Sequence, residues 1–143
     1  MANKELIGFQ LVGIRTEQFA IVEQEVDANN ELAFTISFNV GKNDDDKVLS
    51  VLFSAKFLEE EKTIMILECS CHFKVIEESW SEFKEQGTDN LIVPQGFITH
   101  LAVITVGTAR GILHAKTEGT KFNGHILPTI NLTEIFTSDA RIE

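Results

Sequence analysis

The sequence predicts an α+β domain: four antiparallel strands first, then a long helix and a short C-terminal helix. Three observations carry this. Apolar residues alternate at period two through three successive runs of the first half. Short polar turns separate those runs. After Pro94 the chain then continues for more than twenty residues without a turn signal, longer than ordinary strands. A chain of 143 residues, 43% hydrophobic and 24% charged, buries roughly 68–70% of its extended surface and needs one core. No linker, repeat or low-complexity tract divides it, so a single domain over residues 1–143 is expected.

A first strand is expected over Leu6 to Ile14, with Phe19 to Val22 as its bent continuation if the break at Arg15 to Gln18 is a bulge or corner. The second strand is the clearest: Leu32, Phe34, Ile36, Phe38 and Val40 share one face, with Ala33, Thr35, Ser37 and Asn39 on the other. Gly41 to Asp46 is a turn by composition. Leu49, Val51, Phe53, Ala55 and Phe57 then line one face of a third strand. Beyond the charged turn Glu59 to Lys62, Met65, Leu67, Cys69, Cys71, Phe73 and Val75 line a fourth, with Glu68, Ser70, His72 and Lys74 pointing away. Runs joined this way form an antiparallel meander.

In the second half, Ser79 to Lys84 reads as a helical turn, because Ser79 and Glu82 have capping-box spacing. Gly87 to Asn90 is a loop. Pro94 suits the first turn of a helix that runs to about Thr117 and stops near Gly119. Its β-branched residues (Ile98, Thr99, Val103 to Val106, Thr108) would also allow a strand, and length decides for the helix. Thr120 to Leu127 is loop-like, and Asn131 to Thr137 reads as a short helix.

Twelve Lys and Arg against twenty-two Asp and Glu leave a net charge of −10, which raises the cost of approaching phosphate backbones or anionic lipid. Nucleic acid is therefore not an expected partner. Nor is insertion into a membrane: the apolar stretch Leu91 to Ala115 is interrupted by Gln95, Thr99, His100, Thr105, Thr108, Arg110 and His114. Two cysteines make no disulfide framework and no charged-then-apolar leader opens the sequence, so a cytoplasmic location is expected. Eleven Phe, one Trp and no Tyr give much apolar aromatic surface with few polar handles.

Candidate chemistry is thin. Cys69 and Cys71 share a strand face and His72 points away, but no second ligand pair supplies a tetrahedral metal site, so core cysteines are expected and no metal or cofactor. On the expected helix His100 and His114 lie fourteen residues apart, about 21 Å at 1.5 Å per residue, too far to share a ligand atom. His125 falls in a loop. Phosphate-binding glycine motifs, GxSxG and HExxH are all missing, and no catalytic residue is assigned. Gly107, Gly111 and Ala115 form a small-residue stripe at helical spacing. Either another subunit's helix or the chain's own sheet approaches there. The polar phase of the strands also carries Val48, Leu52, Leu58, Ile64, Ile66 and Ile76. A sheet covered on one side would leave some of these exposed, as at an interface or a groove for another polypeptide.

Against this background the sequence resembles the SecB family of export chaperones. The resemblance rests on Ala109-Arg110, Glu118-Gly119-Thr120, Leu127-Pro128-Thr129-Ile130-Asn131-Leu132 and Ile135-Phe136 in the final third. Arg15 to Ile21 is similar to the family's first strand, and the order of elements agrees over nearly the whole chain. The resemblance implies a four-stranded sheet with its helices packed on one face, and a homotetramer made as a dimer of dimers, with Gly107, Gly111 and Ala115 at subunit contacts. It also implies a holdase that binds unfolded or precursor polypeptides without ATP and passes them to SecA in protein transport. Where family exporters carry first-strand carboxylates this chain has Gln18 and Val22, with Glu23 just beyond. Seven residues follow Phe136, and Gly107 stands where a proline usually precedes the arginine. These departures point to the alternative, a dedicated chaperone of a single client such as an antitoxin. A small-ligand-binding protein or enzyme using His100, His114 or Cys69 is the reading from another class. Client contact is expected at Leu52, Ile64, Ile66, Trp80, Phe122 and Phe136, large apolar residues that the core phase does not claim.

Overall fold

A computed structural model describes residues 7–27 and 29–143. Four long strands form one antiparallel sheet: β1 (Phe9–Ile21), β2 (Ala33–Asn43), β3 (Val48–Glu59) and β4 (Lys62–Val75). β2, β3 and β4 are the expected meander. β1 pairs with β4, so the order is β1-β4-β3-β2 and the chain crosses from one sheet edge to the other between Ile21 and Ala33, a Greek key. The start of the expected first strand, at Leu6, lies outside the described residues.

Register explains the faces. Phe38 sits opposite Phe53 and Phe53 opposite Cys69, so the alternating apolar residues of three strands share one side. Bulges keep β1 in phase with them. Val12 and Glu17 are extra residues against β4, and the second lies where the sequence break predicted one. A third bulge, at Ile64 in β4, turns that side chain inward, while its carbonyl accepts the Val22 amide at 2.8 Å.

After β4 come α1 (Glu77–Phe83), β5 (Leu91–Val93), α2 (Gln95–Thr117) and β6 (Ala140–Ile142), with a 3-10 turn at Leu132–Glu134. α1 buries Trp80 and Phe83, but its N-cap is Ile76 rather than Ser79. Ser79 lies inside the helix and is buried, so the expected capping box is not formed. The expected C-terminal helix is reduced to the 3-10 turn, whose Thr133 amide is capped by Asn131 Oδ1 at 3.2 Å.

α2 packs across β3 and β4 through Ile98, Leu101, Ala102, Thr105, Ala109 and Leu113. Its threonines do not break it, because Thr99, Thr105, Thr108 and Thr117 donate to carbonyls one turn back at 2.7–2.9 Å. Gly119 at φ 78° ends it in the left-handed conformation that costs glycine nothing. At the other end the Gln95 amide donates to Asp139 Oδ1 at 2.9 Å, next to the short β5–β6 pairing that the sequence did not signal. By length and composition alone α2 could cross a membrane, contrary to the sequence expectation, but it packs here as a core helix.

Candidate functional site: an apolar groove at the sheet edge

Because α2 covers β3 and β4, the helix side of edge strand β2 is only partly shielded. Phe34 belongs to the core phase but remains 37% exposed, with its ring 6.3 Å from that of buried Phe57. Facing it is the segment after α2, where Ile126 is 65% exposed. Between them lies a groove of about 390 Å³, lined by Leu32, Phe34, Phe57, His125, Ile126 and Pro128, with Gly124 and Glu31 also on its surface. Arg110 fixes the far wall: Nε donates to the Leu127 carbonyl at 2.7 Å and Nη2 to that of Pro128 at 2.8 Å. Phe122 is buried and its ring packs, tilted by 39° and 6.0 Å between centroids, against His125, supporting the wall from inside. Farther along β2, half-buried Phe136 packs edge-on against Phe38 at 5.2 Å.

The six expected client residues do not converge here. Ile64, Trp80 and Phe122 are core residues with 0–1% exposure, which removes them from the surface. Ile64 is inward because of its bulge, Trp80 because α1 turns it under, and Phe122 because the loop folds back. Leu52 and Ile66 are half-buried on the opposite face of the sheet, and only Phe136 lies on the β2 side. Phe34 and Ile126 were missed. Alternation assigns Phe34 to the core and cannot show that its strand is an edge; Ile126 stands between a histidine and a leucine in a patternless loop.

Gly107, Gly111 and Ala115 lie on the exposed side of α2, and a Cβ at either glycine would meet nothing within 4 Å. The chain's own sheet is therefore not what these small residues accommodate. His100 is exposed beside the Phe9 ring at 5.7 Å, and His114 is 3.8 Å from Glu118. The histidines and Cys69 proposed for the ligand reading are not brought together.

Cys69 and Cys71 are both fully buried beneath α2. Their shared hydrogen bond pushes the Cys69 thiol up, with burial adding to the rise. The same bond pulls Cys71 down to about 6, against the effect of burial. Among the described residues no group of three or more His, Cys, Asp or Glu could hold a metal ion. On the outer sheet face Ser70 Oγ donates to Glu17 Oε1 at 2.7 Å and lies 3.0 Å from His72 Nε2. A hydroxyl has one proton, so Nε2 must be the donor to Ser70, which is the wrong tautomer for a base that activates the serine.

No family model matches the sequence, and no curated protein matches it either. Among solved structures, the Mycobacterium tuberculosis SecB-like chaperone Rv1957, in complex with a ChAD peptide from the Rv1956 HigA1 antitoxin, superposes with a TM-score of 0.53 at 12% identity, over 85% of this chain and 90% of that one. A Streptococcus agalactiae protein of unknown function reaches a TM-score of 0.36 at 14% identity, covering 88% of this chain and 98% of its own, a likeness too slight to carry an argument. The first likeness, with the four-stranded sheet and its long helix, gives this chain the SecB-like fold.

Proposed function

We propose that this chain is an ATP-independent cytoplasmic chaperone that holds extended, apolar segments of non-native polypeptide in the groove between β2 and residues 122–130. The observation that carries the reading is the groove itself: Phe34 and Ile126 face each other across a space with room for apolar side chains, on a SecB-like fold. A fully buried apolar side chain is worth about 1.5–3 kcal/mol, so two of them give roughly 3–6 kcal/mol before ordering costs. That is near millimolar affinity, since about 4.1 kcal/mol corresponds to 1 mM. Firm holding of a long chain therefore needs several grooves engaged at once. A homotetramer joined through the exposed face of α2 supplies them. Its open glycines support that arrangement.

Solution mass by light scattering, with and without an excess of reduced, unfolded polypeptide, tests this. The expected mass is near four chains and rises with the unfolded client but not with its folded form. F34S/I126S should keep the fold and weaken client binding about tenfold or more. A stable monomer indifferent to unfolded chains would sink the proposal, and wild-type binding by the double variant would move the site elsewhere.

A second reading is favoured by the peptide in the Mycobacterium tuberculosis structure, which comes from an antitoxin. A dedicated chaperone of one such client would use the same groove but protect that client alone. Delivery to SecA for export predicts broad protection and a measurable SecA complex, and client breadth separates the two.

A further inference from the structure

The crossover from β1 to β2 supplies one wall of the groove through Glu31 and Leu32, yet its described residues form no helix or strand. Its two ends are fastened to the β3–β4 hairpin. Val22 bonds to Ile64, Glu23 pairs with Lys62 at 2.6 Å, and Asn30 Nδ2 donates to Glu59 Oε1 at 2.8 Å. Its middle is held from a different part of the chain. Lys121, in the loop after α2, donates from Nζ to the carbonyls of Gln24 and Val26, the latter at 2.6 Å. The same ammonium lies 5.3 Å from the centroid of the Phe122 ring, and Val26 is buried. On the facing wall Arg110 performs the matching task with the Leu127 and Pro128 carbonyls. Each wall thus hangs from a cation that satisfies two backbone acceptors, and Lys121 joins a segment before β2 to one after α2 across 95 residues of sequence.

We infer that Lys121 is a positioning residue, a latch that holds the crossover as the near wall of the client groove. The inference rests on the client reading above and adds to it a residue that lies outside the groove lining. An ammonium has donors for two carbonyls at once and a guanidinium also does, whereas methionine keeps the aliphatic stem and loses every donor. Without the latch the middle of the crossover keeps the burial of Val26 but loses both of its bonds to Lys121, so it opens more often and the Leu32 side of the groove opens with it.

The test compares K121M and K121R with the wild-type chain by backbone amide exchange and by binding of fluorescein-labelled, reduced and carboxymethylated α-lactalbumin. In K121M, exchange over residues 22–32 should rise about tenfold. Client dissociation should quicken about fivefold, with the association rate nearly unchanged. Melting temperature should stay within about 3 °C, and K121R should restore both readouts. Unchanged exchange in K121M overturns the latch. Faster exchange with unchanged client dissociation, in a protein whose F34S/I126S variant has lost the client, overturns its positioning role. A wild-type chain that ignores the labelled client sinks the client reading and the positioning role with it, while the exchange result still reports separately on the crossover.

Discussion

At the β3–β4 hairpin two glutamates, Glu60 and Glu61, hold φ values of 50° and 70°, the pair of left-handed conformations that a two-residue turn requires to match the strand twist. Neither residue has the freedom of glycine, and each costs about 1 kcal/mol or more in that region. E60N/E61G should therefore raise the melting temperature by roughly 2–6 °C in calorimetry. An unchanged or lower value would mean that the two carboxylates make contacts worth more than the backbone strain. The thiols answer to burial in the same local way. The Cys69 hydrogen bond pulls the Cys71 thiol down, but Cys71 lies fully buried under α2. Both cysteines should stay silent to a disulfide reagent in the native chain and react together once denaturant is added. Rapid native labelling of either one would mean that α2 does not stay on β4.

Exposed glycines in a helix interior cost about 0.8–1.0 kcal/mol each relative to alanine, and among the described residues nothing lies within 4 Å of a Cβ at Gly107 or Gly111 to offset that. If this face meets a second copy, G107A/G111A puts two methyl groups into the contact, and the mass by light scattering should fall below that of the wild type. If solvent alone faces it, the mass stays and the melting temperature rises by several degrees. The limits of α2 were legible within about a residue because Pro94 and Gly119 punctuate it locally. Its N-terminal cap was not legible, since Asp139 arrives from 44 residues away. The same distance effect hides β5 and β6, three-residue strands that pair with each other from far apart in the sequence, Leu91 opposite Ile142 and Val93 opposite Ala140. The strand runs were read correctly wherever period two was strict. They failed at Ile64, where one extra residue moves a side chain from the outer face into the core.

Over the molecule as a whole, alternation can tell which residues share a face but not which strands lie at the edges. The groove depends on that missing fact: Phe34 obeys the core pattern and is exposed only because β2 is last in the sheet. Sequence order hides the edge at β1 as well. There Leu11, Val12 and Ile14 remain exposed, on a border that among the described residues no further strand joins. The β1-β4-β3-β2 order also sets the timetable of biogenesis. β1 leaves the ribosome before β4, and that partner is not complete until Val75 has been made. At about 5–20 residues per second that interval is a few to about ten seconds. For that time the nascent first strand has no neighbour, so a protein proposed to shelter unfinished chains begins its own life as one.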